Sequence, residues 1–210
     1  MKKICVLLVL AATSLGAQAA ELTYTYVEAD YTYSNNATFN DSQGLGLKGS
    51  LGIGDHFFAH ASYGRDKLNN WGGHNSVDNW SVGGGFFSAI GSNADWVTQA
   101  AYIRKGVNLH LAQFDSGDVD VPDVYRDNFS GFRASTGVRG MVSDKLEGHA
   151  YLGYEDMGNI KVTRHSIPLK GDVYGDLGLQ YKFSNRWGAT GGVMVRDVDA
   201  RYQVGVRASF

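Results

Sequence analysis

The chain has 210 residues, a formal net charge of −2 at pH 7, and 43% hydrophobic, 19% charged and 12% aromatic residues. Its 28 glycines follow no Gly-X-Y period and it has only 2 prolines, so collagen-like and disordered classes are excluded. The length predicts one domain, or at most two small ones, and the absence of a basic block argues against nucleic-acid binding.

The N-terminus has the pattern of a bacterial secretory signal peptide. A basic pair precedes an apolar stretch over 4–12, and residues 17–19 form a small-x-small cleavage site. We therefore expect 1–19 to be removed and 20–210 to form one barrel domain. Cys5 lies in the signal, so the mature chain has neither a disulfide nor a thiol nucleophile.

Hydrophobicity alternates with period two along the mature sequence. The last ten residues alternate strictly, and this length matches the roughly 9–11 residues of a tilted membrane strand. Ten such segments follow one another near 23–34, 44–53, 57–65, 80–86, 96–104, 132–139, 146–155, 173–183, 187–196 and 201–210. The fifth is ambiguous: with Gln99 inward, Trp96 and Tyr102 face outward, but the opposite facing fits almost as well.

The connections between these segments alternate in length. Short ones lie near 54–56, 88–94, 141–144 and 184–186, and most of the others are longer and polar, at 35–42, 66–77, 106–128 and 156–171, with 197–200 the exception. Short periplasmic turns and longer extracellular loops are typical of outer-membrane barrels. We predict an all-β, transmembrane, antiparallel up-and-down β-barrel of ten strands, or of eight if one hairpin belongs to a loop.

Aromatic and charged residues indicate that the apolar face is the outer one. A soluble lipocalin-like barrel also alternates, but it turns its apolar face inward. Here the polar face carries full charges, which lipid contact would disfavour, and aromatic residues cluster at both strand ends, as at two membrane interfaces. The sequence ends on Phe210, so we expect Phe210 to be an assembly signal for the barrel assembly machinery.

Charged residues on the polar face are the main candidate site. They are Glu28, Asp30, Lys48, Asp66, Arg133, Arg139, Glu147, Glu155, Asp176, Lys182, Arg196 and Arg207. Eight strands leave room only for side chains, so a ten-stranded lumen is narrow and mixed charges predict an internal network of ion pairs. A water-filled pore lined by the same residues is the alternative.

Metal and catalytic sites have weaker signals. Five aspartates occur in the central loop, at 115, 118, 120, 123 and 127, but they lack the glycine and the terminal glutamate of a calcium loop, so a solvated acidic loop is expected. His60 and Ser62 share the polar face, His149 lies between Glu147 and Tyr151, and a His-Ser pair occurs at 165–166. No nucleophile, base and orienting group converge, so we predict no enzyme, cofactor or metal.

Three stretches carry a family resemblance. They are Glu-Leu-Thr-Tyr-Thr-Tyr-Val-Glu-Ala-Asp-Tyr at 21–31, Lys-Leu-Glu-Gly with Gly-Tyr-Glu-Asp in 145–156, and Gly-Asp-Val-Tyr-Gly, Gln-Tyr-Lys-Phe and Trp-Gly in 171–188. The chain resembles the small outer-membrane barrels of xanthomonads and related proteobacteria that were once proposed to be secreted quorum or immune-eliciting factors. The resemblance implies an outer-membrane location, with shed vesicles as a second one, and supplies no catalytic residues.

Three functional hypotheses follow. The first is a structural or surface-interaction barrel that acts through its extracellular loops. The second is a passive channel for small solutes, and the third is a membrane-embedded lipid or peptide hydrolase or acyltransferase. As partners we expect outer-membrane lipid and lipopolysaccharide and the barrel assembly machinery, and we expect a monomer.

Overall fold

A computed structural model describes residues 22–36, 41–68, 75–110, 124–162, 165–168, 171–196 and 199–210. The predicted signal peptide lies outside these residues. The strands are β1 (Tyr26–Asn36), β2 (Ser42–Ile53), β3 (Phe57–Leu68), β4 (Ser76–Ala89), β5 (Ala94–His110), β6 (Val124–Ser143), β7 (Leu146–Asp156), β8 (Asn159–Val162), β9 (His165–Pro168), β10 (Asp172–Lys182), β11 (Trp187–Arg196) and β12 (Asp199–Ser209). Among the described residues, no helix is long and apolar enough to cross a membrane.

Ten of the strands close into one antiparallel barrel. Their order is β1-β12-β11-β10-β7-β6-β5-β4-β3-β2, and β1 closes the barrel by pairing with both β2 and β12. Strands β8 and β9 pair only with each other, within the connection from β7 to β10. The prediction of ten strands is confirmed and the eight-stranded alternative is wrong. Closure leaves no unpaired strand edge, which a lipid environment requires.

The period-two pattern sets the facing of every barrel strand. On β2, Leu45 is 70% exposed while the adjacent Gly44 is buried. On β5, Val97 and Ile103 point inward and Trp96 and Tyr102 outward, which resolves the ambiguous fifth segment. The apolar face is the outer one, as predicted, and its aromatic side chains form one belt near each end of the barrel. The belt members at the two ends are Tyr63, Trp80, Tyr102, Phe132, Tyr154 and Tyr202, and Phe57, Phe86, Trp96, Phe183, Trp187 and Phe210.

The four short connections meet at one end of the barrel, which we call the short-turn end; the opposite end is the long-loop end. Two of the short turns contain a glycine with positive φ, Gly54 at 60° and Gly91 at 98°, a backbone conformation that side chains with a Cβ disfavour. These glycines let adjacent strands reverse direction tightly.

The central loop is shorter than predicted because β5 and β6 continue far past the other strands. They have 17 and 20 residues, whereas β1 has 11. The prediction of a loop over 106–128 is wrong at both ends: pairing continues from Lys105–Phe129 to His110–Val124. A hairpin above the membrane needs no apolar face, since its backbone hydrogen bonds alone maintain the pairing, and hydrophobic alternation therefore ends before the strand does. For the same reason β3 and β4 extend to Leu68 and from Ser76.

Candidate functional site in the lumen

Glu28 is the centre of the first ion-pair cluster inside the barrel. Its carboxylate accepts from Lys48 Nζ at 3.2 Å and pairs with Arg207 Nη2 at 2.7 Å. Lys48 also lies 3.0 Å from Asp30 and donates to Gln203 on β12 at 2.7 Å. Since Glu28 and Asp30 are almost fully buried, these cations provide the compensation that buried carboxylates require.

Glu147 connects this cluster to a part of the lumen wall three strands away. Its carboxylate accepts from Arg139 Nε at 2.7 Å and lies 3.4 Å from Lys182 Nζ and 3.8 Å from Arg207 Nη1. Arg207 is on β12 and Glu147 on β7, with β10 and β11 between them in the barrel. The arginine therefore spans part of the lumen rather than the gap between adjacent strands, and its guanidinium also lies 4.0 Å over the Tyr26 ring.

Glu155 is the centre of a second cluster, nearer the long-loop end. It accepts from Lys105 Nζ at 2.7 Å, from Arg133 Nε at 2.8 Å and from Arg196 Nη2 at 3.0 Å. These three cations come from β5, β6 and β11 and converge on a single buried carboxylate on β7. Arg133 also lies over the ring of Tyr174, with its Cζ 5.5 Å from the ring centroid.

Asp66 is the centre of a third cluster. It accepts from Thr32 Oγ1 at 2.9 Å, from Asn79 Nδ2 at 3.2 Å and from Arg201 Nη1 at 3.2 Å. Arg201 is on β12 and Asp66 on β3, separated in the barrel by β1 and β2. This pair therefore also joins non-adjacent parts of the wall.

An aromatic cluster occupies part of the lumen at the short-turn end. Tyr24, which precedes β1, folds inward and stacks on Phe87 with ring centroids 3.9 Å apart and on Phe58 at 5.1 Å. Val97, only 1% exposed, and the partly buried Tyr151 complete the cluster, which we call the aromatic plug. Stacked ring contacts of this kind add to the hydrophobic gain of burial.

Polar contacts hold Tyr24 in the plug. Its hydroxyl donates to Asp95 Oδ2 on β5 at 2.8 Å, and Arg139 Cζ lies 4.6 Å from its ring centroid. Arg139 Nη2 also donates to the carbonyl oxygen of Thr23 at 2.9 Å. Burial, and then the hydrogen bond to Asp95, raise the pKa of the Tyr24 phenol above its usual value, so the side chain stays neutral at physiological pH.

Lumen glycines make room for these large side chains. A Cβ on Gly85 would overlap the ring of Phe58, and one on Gly153 would overlap the ring of Tyr174. The high glycine content is thus used in part to pack aromatic rings into a narrow interior.

The candidate catalytic histidines contact residues other than a nucleophile. His60 lies on the lumen face with Ser62, but the Ser62 hydroxyl is hydrogen-bonded to Ser81 at 2.7 Å and His60 stands near the Phe58 ring. His149 stacks on Tyr151 with centroids 4.9 Å apart, and its Nε2 is 3.8 Å from Asp176. The side chains of 165–166 are not among those described.

The proposed calcium ligands at 115, 118, 120 and 123 lie outside the described residues. Asp127, the fifth, is on β6 and accepts from the backbone N–H of Asn128 at 2.7 Å. Among the described residues, no three His, Cys, Asp or Glu side chains converge as metal ligands.

The charges predicted for the polar face lie on strand positions that alternate with exposed apolar ones, and all of them are buried or half-buried. The clusters also contain two cations, Lys105 and Arg201, that were not among the predicted lumen charges. Lys105 falls between the predicted fifth segment, which ends at 104, and the predicted loop, which begins at 106. Arg201 is the first residue of the last predicted segment, on its polar face and next to the 197–200 connection. Phe210, the expected assembly signal, is 69% exposed, and its backbone N–H donates to the carbonyl of Thr25 at 3.0 Å.

The comparisons with known proteins concern the fold. No family model and no curated protein matches the chain. Among solved structures, the β domain of the Bordetella autotransporter BrkA is 14% identical and covers 89% of this chain and 99% of its own, with a TM-score of 0.54. The translocator domain of NalP from Neisseria meningitidis (13%, 90% and 90%, 0.48) and the KdgM porin in complex with disordered oligogalacturonate (15%, 88% and 99%, 0.46) are further matches. The likeness to the BrkA β domain agrees with the closed antiparallel β-barrel described above.

Proposed function

We propose that this protein is a closed outer-membrane barrel with a structural or surface-interaction role, which it performs through the strands and loops at its long-loop end. In this proposal the short-turn end faces the periplasm and the long-loop end faces the cell exterior. Short turns on the periplasmic side and longer extracellular connections are the usual arrangement of such barrels.

The observation that carries the proposal is that side-chain contacts cross the lumen at several levels. At the short-turn end Tyr24 reaches Asp95 on the far wall, further up Arg207 reaches Glu147, and near the long-loop end Arg201 reaches Asp66. A solute would have to separate charged groups that are paired in a confined space, which is energetically costly. These contacts favour an obstructed lumen over an open, water-filled channel.

The β5–β6 hairpin supports the second half of the proposal. Its strands continue well past the belt residues Tyr102 and Phe132, so a paired two-stranded hairpin extends beyond the barrel rim. An epitope inserted in the 111–123 connection should be accessible to antibody on intact cells, whereas the same epitope in the 54–56 turn should require permeabilised cells. The reverse labelling pattern would contradict the proposed orientation.

Conductance in planar bilayers tests the closed lumen. We expect refolded protein to give no single-channel steps, and a triple variant Tyr24→Ala, Arg139→Ser and Arg207→Ser to give them, because the variant empties the plug and breaks the central ion pairs. The opposite result would be conductance steps from the unmodified protein whose size differs from that of the Arg133→Ala or Glu147→Ala variant. It would overturn the proposal and establish the passive channel instead. A boiled and an unboiled sample run on a detergent gel verify barrel folding for each variant.

Several finer features belong to the same proposal. We place the protein in the family of small xanthomonad-type barrels suggested by its sequence. In this proposal it is a monomer without enzymatic activity, and shed outer-membrane vesicles are its second location.

The exposed side chain of Phe210 leaves the last strand available for recognition by the barrel assembly machinery. Loss of outer-membrane insertion on Phe210→Ala, with insertion retained in Phe183→Ala, would support that last role.

A further inference from the structure

Cations on the outer face of the barrel are confined to one sector. Within the described part of the ten barrel strands, Arg65, Lys67, Arg104 and Arg126 are the cations on outward-facing positions, and they all belong to β3, β5 and β6. All four are exposed and lie on the long-loop side of the aromatic belt. The other lysines and arginines of the barrel strands face the lumen.

Two of these arginines line one cleft. Arg104 and Arg126 both border an outer-face cavity of about 160 Å³, whose lower edge is the belt residue Trp80. Gly106 lies between them on the same face, and a Cβ there would come within 3.1 Å of Asn128 Oδ1, so the absence of a side chain keeps the cleft open. Arg104 and Arg126 have no ion pair with any residue that the structure describes.

The two carboxylates that border the cleft are both engaged. Asp78 pairs with Arg65 at 3.5 Å and accepts from Tyr63 and from Asn108 at 3.2 and 3.4 Å. Asp127 accepts from the backbone N–H of Asn128 at 2.7 Å. The two arginines are thus the charges of the cleft that remain available to a ligand, and planar guanidinium groups suit the oxygens of a phosphate.

The height of the arginines indicates what kind of phosphate they meet. Strand rise and tilt give about 2.5 Å of height per residue, which sets Arg104 about 5 Å above Tyr102 and Arg126 about 15 Å above Phe132. A bilayer headgroup layer is only about 5–8 Å thick. Arg104 is therefore level with a phospholipid headgroup, but Arg126 is within reach only of a taller, glycosylated one.

We propose that the cleft between Arg104 and Arg126 binds a phosphorylated glycolipid of the outer leaflet, with both guanidinium groups on its phosphates and Trp80 at the membrane interface. The inference rests on the proposed outer-membrane location and orientation. It is independent of whether the lumen conducts, because the cleft lies on the outside of the barrel.

Lipid retention by the purified, refolded chain tests this proposal. The protein in detergent is mixed with short-chain lipopolysaccharide, repurified, and analysed for bound lipopolysaccharide per protein. We expect the double variant Arg104→Gln/Arg126→Gln to retain about tenfold less than the unmodified protein, since each lost charge-assisted contact weakens binding several-fold. The matched control Lys145→Gln/Arg186→Gln removes two exposed cations from the short-turn end and should retain lipopolysaccharide within about twofold.

Further arms distinguish the ligand. Enzymatically dephosphorylated lipopolysaccharide should be retained by the unmodified protein no better than by the double variant, and phosphatidylglycerol should be retained weakly by both. Equal loss in the two double variants, or unchanged retention in Arg104→Gln/Arg126→Gln, would overturn the proposal. Equally strong retention of phosphatidylglycerol would overturn the glycolipid assignment in favour of a phospholipid. Displacement by millimolar inorganic phosphate would overturn it in favour of a soluble anion. A heat-modifiable gel shift shows separately that each variant is a folded barrel.

Discussion

The two ends of the lumen are filled by opposite chemistry. At the short-turn end the aromatic plug places Tyr24, Phe58 and Val97 in contact, each less than 8% exposed. Toward the long-loop end the interior holds carboxylates: three cations contact Glu155, and an arginine, an amide and a hydroxyl group contact Asp66. Apolar packing therefore dominates one end, and at the other end the ion-paired cations keep part of their side chains exposed.

This difference shows that hydrophobic alternation determines which side chains face the lumen, but not whether they form apolar packing or ion pairs there. The plug depends on Tyr24, which is outside the barrel strands and enters because the N-terminal segment turns inward. The ionic end depends on side chains that the strands themselves supply. The plug should accordingly respond to cavities and to loss of its hydroxyl group, and the ionic end to loss of charge.

The largest effect is expected from Tyr24→Ala. Removing the ring leaves a cavity between Phe58 and Phe87 and takes away the hydroxyl group that donates to the Asp95 carboxylate. We therefore expect a loss of about 4 kcal/mol in unfolding free energy. Urea unfolding in lipid vesicles, followed by tryptophan fluorescence, measures it. Tyr24→Leu is the control: it keeps apolar volume in the plug and should recover more than half of the loss. Equal losses in the two variants would show that packing does not stabilise this end.

A somewhat smaller effect is expected from Glu155→Ala. Three lumen cations lose their shared carboxylate, and we expect a loss of about 3 kcal/mol, at the lower limit for breaking a buried ion pair because the cations keep some water contact. The same urea titration measures it, with Asp55→Ala in an exposed short turn as the matched carboxylate control. If both variants lost the same small amount, the Glu155 cluster would contribute no more than an exposed charge.

Much of the fold could be predicted because one rule, the alternation of outward-facing and lumen-facing residues, repeats along every strand of the barrel wall. Each residue pair places one side chain in lipid and one in the lumen, so segments such as 201–210 define strand, facing and end belts from local sequence alone. The charges then follow, because a charged side chain on such a strand has only the lumen as a polar environment. The strand ends above the membrane do not follow this alternation. Lys105 lies in such a strand end and was therefore not predicted as a lumen charge.

The aromatic plug could not be predicted for a different physical reason. Phe58, Phe87 and Val97 occupy lumen positions that the rule assigns to polar residues, and their apolar partner, Tyr24, is near them only in the folded barrel. A signal was present nonetheless: three apolar residues on the polar face, each within three residues of a short turn, indicate a second apolar surface at that end.

The smallest expected effect is alkaline destabilisation through Tyr24. Burial and the bond to Asp95 raise the pKa of this phenol in the folded chain, whereas in the unfolded chain it titrates near 10. Below pH 9 both states hold the proton; as pH rises, the unfolded state releases it first, so stability falls. From pH 9 to 10.5 this amounts to about 0.8 kcal/mol. Tyr24→Phe, which starts less stable because Asp95 loses its donor, should show a decline smaller by that amount in urea titrations at the two pH values. Parallel declines in the two proteins would mean that the Tyr24 hydroxyl is not held by Asp95 in the folded barrel.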